Sequence, residues 1–164
     1  KPFLECEISF IIKEDININN APYKIKDVNK IFDKVFASIE IVDFRFGDNI
    51  KEVGINNLII SNGASEFYIQ SDRYFEIDSI DLFDLEVSLI INNKLIEKGN
   101  TNLVLGNPLN SAIWLVNKLA LKGEPMLKGQ FITTGTCTKA VKLKKRSIIK
   151  ADFGSLGSID FKYI

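Results

Sequence analysis

The sequence predicts a β-rich α+β fold, a curled sheet or barrel with two helices packed outside. Three observations carry this. Most of the chain is cut into short runs of alternating or β-branched residues. Asn and Gly punctuate those runs. Only the segments after Asp27 and after Asn107 repeat apolar residues at helical spacing. A chain of 164 residues with no repeat, linker or low-complexity stretch suits a single domain, 1–164.

Leu4 to Ile12 reads as a strand. Leu4, Cys6, Ile8, Phe10 and Ile12 share one face; Glu5, Glu7 and Ser9 share the other with Phe3 and Ile11. Residues 13–26 are polar and Asn-rich, a loop around Pro22. Asp27 can cap a helix whose Val28, Ile31, Phe32 and Val35 lie on one stripe. Phe36 to Phe46 is β-branched and aromatic, a strand with Glu40 near its middle. Asn56 to Ser61 reads as a short helix or extended turn leading into turn chemistry from Ser61 to Ser65, and Glu66 to Ser71 as a short strand. Asp84 to Gly99 predicts a hairpin, because Asn92-Asn93 tolerates the two positive-φ positions of a tight turn. The second helix has Asn107 as N-cap, Pro108 at the first position and Gly123 as terminator. Leu109, Ile113, Val116, Leu119 and Ala120 form its apolar stripe, and Trp114 is expected to pack among them. Gln130 to Ile164 predicts short strands joined by glycine turns.

Composition narrows the chemistry. Lys plus Arg equals Asp plus Glu, at 21 each, so no basic field points to nucleic acid. The basic run Lys142 to Arg146 is expected to be a solvated turn. No apolar run is long enough to span a bilayer. Cys6 and Cys137 form no spacing pattern, which fits a reducing, cytoplasmic setting. The chain contains no histidine, which excludes Cys/His zinc sites and His-dependent nucleophiles. Chemistry is left to carboxylates, lysines, hydroxyls, amides or a hard metal ion.

Glu5 and Glu7 are therefore the residues to explain. Alternation of this kind most often means a half-exposed strand with its acids in water. Two features pull the other way: Phe3 and Ile11 share the acid face, and Glu40 repeats an acid inside a second apolar strand. Three buried carboxylates close together would repel, and each would resist ionisation. A divalent ion such as Mg²⁺ or Mn²⁺ resolves both difficulties, provided Glu40 reaches the same place.

The ordered set of Glu5-Cys6-Glu7, Ile39 to Phe46, Ser61 to Ser65, Leu103 to Gly123, Phe131 to Val141 and Ala151 to Phe161 resembles a known pattern. It is similar to the C-terminal domain of the 2-keto-4-pentenoate hydratase and 4-oxalocrotonate decarboxylase family, in the fumarylacetoacetate hydrolase superfamily. The resemblance implies a curled mixed β-sheet, or β-roll, with Glu5, Glu7 and Glu40 as ligands of Mg²⁺ or Mn²⁺. It places Asn62 and Ser65 in the catalytic site and Gly135 and Thr136 in the turn that closes over the substrate. It implies a lyase of aromatic meta-cleavage catabolism that adds water to a 2-hydroxy-2,4-dienoate, with decarboxylation of a 2-oxo acid as the alternative. It also implies a homo-oligomer. The pattern departs from the family at Ser61, where an Asp is usual, and at Asn107, where a His is usual. Family members carry a segment before Glu-x-Glu that supplies a lysine and an acid for proton transfer. The chain is thus expected to hold the metal half of a site, and a catalytically reduced subunit is a further expectation.

Overall fold

A computed structural model of the protein describes residues 1–47 and 50–164, the side chain of Ile50 excepted. Two antiparallel sheets and one long helix enclose a common core. In the first sheet β1 (Pro2–Ile12) lies between β2 (Phe32–Asp43) and β6 (Phe131–Thr136); β3 (Ser65–Gln70) flanks β2 and the short β7 (Val141–Lys142) also pairs with β1. The second sheet runs β5 (Lys94–Asn100), β4 (Glu86–Ile91), β8 (Ser147–Asp152), β9 (Ser158–Tyr163). The mixed sheet implied by the resemblance is thus replaced, among the described residues, by antiparallel pairing throughout.

The apolar face of β1 is the centre of the core. Leu4, Cys6, Ile8, Phe10 and Ile12 are buried together with Val87 and Leu89 of β4, Ile149 and Ala151 of β8, and Ile159 of β9. The alternation read from the sequence therefore faces the second sheet, and it turns Glu5 and Glu7 to the opposite side.

Among the described residues the α-helical segments are α1 (Val28–Ile31), α2 (Ile50–Val53), α3 (Ile55–Ile60) and α4 (Pro108–Leu121). The helix expected beyond Asp27 stops after one turn, and Phe32 and Val35 belong to β2 instead. Phe32 pairs with Ile12, and both Phe32 and Val35 are buried while Asp33 between them is exposed. Strand pairing overrides a weak helical stripe made of β-forming residues. That strand also ends at Asp43, short of Phe46.

Helix α4 forms as its sequence predicts. Asn107 Oδ1 accepts the Leu109 N–H at 2.9 Å, and Gly123 follows the helix at φ 73°. Its buried stripe is Pro108, Ala112, Ile113, Val116 and Ala120. Trp114 lies off that stripe and is 61% exposed, which corrects its expected place in the core. The hairpin turn Asn92-Asn93 takes φ of 52° and 61°. The sheets are joined at Gly99, where an added Cβ would lie 1.9 Å from the Cys137 carbonyl oxygen. The neighbouring Asn100 N–H donates to that same oxygen at 2.9 Å.

Candidate metal centre

The polar face of β1 acquires its third acid through strand register. Glu5 lies directly opposite Glu40 of β2, and Glu7 lies opposite Ser38 on β2 and Thr136 on β6. One carboxylate oxygen from each of Glu5, Glu7 and Glu40 can be chosen so that all three lie within 4.8 Å of one another. Glu5 and Glu40 are partly buried, and Glu7 is only 2% exposed. The wet strand face is therefore not what the fold builds.

Electrostatics make this cluster uncomfortable when it stands alone. Burial pushes the Glu7 carboxyl up to about 8, and the charges of Glu40 and Glu5 add to that. The Gly135 N–H donates to Glu7 Oε2 at 2.9 Å and, with the Thr133 hydroxyl, opposes the rise only in part. Glu5 is raised too, by burial first and by Glu40 second. No lysine or arginine among the described residues offsets either shift. Three oxygen donors with unbalanced like charge suit a hard divalent cation, and that cation would favour their ionised forms.

The other residues named from the sequence fall in two places. Gly135 and Thr136 are beside the acids. Gly135, at φ 107°, sits where the β1–β6 register slips between Glu7 and Ser9, so its N–H turns toward Glu7. The Thr136 hydroxyl donates to the Thr138 carbonyl at 2.9 Å and so braces the turn. Asn62 and Ser65 line a separate groove of about 330 Å³ with Arg45, Phe46, Ile60 and Ser61, which none of the three glutamates lines. Asn62, Gly63 and Ala64 are three successive positive-φ residues. The Arg45 guanidinium holds this turn by donating to the Ser61 and Ser65 carbonyls and to Glu66.

Cys137 is buried on the core side, its N–H donating to the Cys6 carbonyl at 2.7 Å. Burial pushes both thiols up to about 12, so neither is a nucleophile at neutral pH.

Sequence reasoning placed Ser9 on the acid face but passed over its partners there, Ser38 and Tyr68. Ser9 and Ser38 are fully buried with their hydroxyls 2.7 Å apart, and Ser38 Oγ donates to the Glu7 carbonyl at 3.3 Å. Tyr68, opposite Glu40 on β3, donates to Ser9 Oγ at 3.2 Å. Ser9 was legible from alternation; Tyr68 needed the register of β3.

Solved structures that share the fold at low identity include a fumarylacetoacetate hydrolase from Exiguobacterium antarcticum, with TM-score 0.67, 15% identity, and coverage of 99% of this chain and 56% of that one. This likeness is one of fold alone. No protein-family model matches the chain. The chain is a homologue of curated proteins named 4-oxalocrotonate decarboxylase and 2-keto-4-pentenoate hydratase. It is 31% identical over 163 residues to a 4-oxalocrotonate decarboxylase of Pseudomonas putida, covering 99% of this chain and 60% of the relative. It is 26% identical over 159 residues to a 2-keto-4-pentenoate hydratase of Paraburkholderia phymatum, covering 97% and 59%. A solved Pseudomonas putida 4-oxalocrotonate decarboxylase, complexed with magnesium and adipate, superposes with TM-score 0.87 at 31% identity over 99% of this chain and 60% of that one. The chain thus spans about 60% of the length of the curated relatives it matches.

Proposed function

We propose that this chain carries the divalent-metal centre of a lyase that adds water to a short 2-hydroxy-2,4-dienoate, a reaction of the 2-keto-4-pentenoate hydratase type. The observation that carries the reading is the convergence of Glu5, Glu7 and Glu40 on one face, Glu7 buried and the other two partly so, with no lysine or arginine among the described residues to balance them. These three residues would hold Mg²⁺ or Mn²⁺. Bound there, the ion supplies positive charge that orients an acidic substrate and stabilises negative charge growing on its C2 oxygen.

The chain's own groups prepare that chemistry. The Gly135 N–H pins one Glu7 oxygen, so the carboxylate does not have to reorganise when it ionises. Gly135 and Thr136 form the turn nearest the acids and are assigned to the substrate's polar head. Asn62 and Ser65 are assigned to substrate contact from the neighbouring groove. Carbon protonation falls to the lysine and acid that the resemblance places in a segment before Glu5. We assign the protein to the cytoplasm as a homo-oligomer.

Decarboxylation of a 2-oxo acid is the second reading, and the 31% identity to a decarboxylase favours it. Both reactions develop charge at the same C2 oxygen and need the same acids. The test uses full-length protein with Mg²⁺ or Mn²⁺, supplied with 2-hydroxypenta-2,4-dienoate and separately with 4-oxalocrotonate. Hydration of the dienoate supports the first reading; CO₂ release without hydration supports the second. Metal binding with no turnover of either would make the chain a metal-binding subunit.

A further inference from the structure

The acid face has an aromatic boundary at each end, and the two ends differ. At one end Phe3 meets Phe44 edge-on, with centroids 5.5 Å apart, and neither ring carries a polar anchor. At the other end Tyr68 is held twice. Its hydroxyl reaches across β2 to Ser9 on β1, and its ring stacks on Phe131 of β6, with centroids 4.7 Å apart and planes 20° apart. Reaching that far requires low ground under the ring. Ser9 and Ser38, both fully buried where a large apolar residue would otherwise pack, provide it. Their paired hydroxyls also give the phenol a polar partner in a dry place. The result is a rigid wall beside Glu7 and Glu40, close enough for Tyr68 to feel the Glu7 charge. Phe131, the outer leaf of the stack, is 47% exposed and faces any occupant from solvent.

From this geometry we infer that Tyr68, backed by Phe131, is a specificity-determining residue that contacts the hydrocarbon tail of a 2-oxo acid whose head is held at the three glutamates. The inference rests on the proposed metal reading and adds a direction to it. The tail runs along the face toward β6, against the Tyr68–Phe131 stack that covers the Ser9–Ser38 pair, rather than toward Phe3. The wall carries no cation among the described residues, so it favours an apolar tail.

The experiment compares two ligands with one head. Pyruvate and 2-oxopentanoate are titrated into purified full-length protein saturated with Mg²⁺, and the tails differ by two methylenes. Wild type is expected to bind 2-oxopentanoate about tenfold more tightly than pyruvate, a few-fold for each buried methylene. Tyr68→Ala is expected to bring the two within about twofold while leaving pyruvate affinity unchanged, and Tyr68→Phe to keep most of the preference. A purely structural tyrosine would lower both affinities together. Phe131→Ala, at a half-exposed position, is expected to lose part of the preference and decides the matter should Tyr68→Ala not fold. Intact Mg²⁺ and pyruvate binding with an undiminished tail preference in these variants, or with none in wild type, overturns the role of Tyr68 alone. Absence of Mg²⁺ binding in wild type overturns the metal reading and this inference with it.

Discussion

The acid face of β1 and the turn from Ser61 to Ser65 are both candidate site regions, yet they are held together by opposite means. The acids sit on regular strands, and their meeting follows from register: once Glu5 faces Glu40, Glu7 can only lie one pleat further along the same face. The turn is irregular, with three successive positive-φ residues, and its shape is kept by Arg45 bonding to its carbonyls. The first region stores electrostatic discomfort that a ligand can relieve, and the second stores backbone strain that the protein relieves itself. The difference teaches where a ligand should matter. An ion should stabilise the strands and leave the turn almost untouched.

The largest expected effect tests the first half of that contrast. Glu7→Gln, or Glu5→Gln together with Glu40→Gln, should weaken Mg²⁺ or Mn²⁺ binding by at least about a hundredfold in calorimetry. Metal-free Glu7→Gln should be no less stable than wild type at pH 8, because the amide removes a buried charge while keeping the shape. Retained affinity in these variants would mean that the glutamates do not share an ion.

Next in size is a pH effect with a definite sign. The Glu7 carboxyl titrates near 8 in the folded protein and near its ordinary 4.5 when unfolded. Between those values the native chain holds a proton that the unfolded chain has released. The contribution of this carboxyl to metal-free stability is therefore full below about pH 4.5 and is lost as pH rises toward 8, at up to about 1.4 kcal/mol per unit. Glu5, raised by the same causes, adds in the same direction. Thermal melts across this range should show the decline in wild type, a flatter profile in Glu7→Gln, and recovery at pH 8 when Mg²⁺ is added. A metal-free protein that gains stability from pH 5 to 8 would contradict the burial of Glu7 as an uncompensated acid.

How much of this was legible in the sequence follows the same divide. The face assignment of Glu5, Glu7 and Ser9 was readable because strand periodicity is two and β1 never breaks it. The cap at Asn107 and the Asn92-Asn93 turn were readable because each depends on a few adjacent residues. Glu40 joining the acids was a conjecture, since register between strands is a long-range fact. Phe32 and Val35 misled for a related reason: their spacing is helical, but the partners that make them a strand, Ile12 and Phe10, lie far away in sequence. Trp114 misled because an apolar residue next to a buried stripe is not on it. Beyond the β4–β5 hairpin, antiparallel pairing between strands distant in sequence, and the crossing of Tyr68 over two serines, had no local signal.

The smallest expected effect sharpens the comparison from the other side. Asn62→Ala and Arg45→Met alter the turn without touching any of the three glutamates. Arg45→Met should cost about 1–3 kcal/mol, because two turn carbonyls and Glu66 lose their charged donor, though the half-exposed position keeps water available to them. Asn62→Ala should add its own cost, since alanine tolerates φ 55° less well than asparagine does. Both variants should bind Mg²⁺ within about threefold of wild type, the scatter expected when a substitution lies outside the ligand's own hydrogen-bond network. If either variant instead lost metal affinity as Glu7→Gln does, the turn and the acid face would be one mechanical unit. The carbonyls that Arg45 grips would then help position Glu40 through β3, which begins at Ser65 and pairs with β2. A metal affinity that stays level while stability drops would confirm that the strands alone shape the centre and that the turn is free to serve the organic part of a ligand.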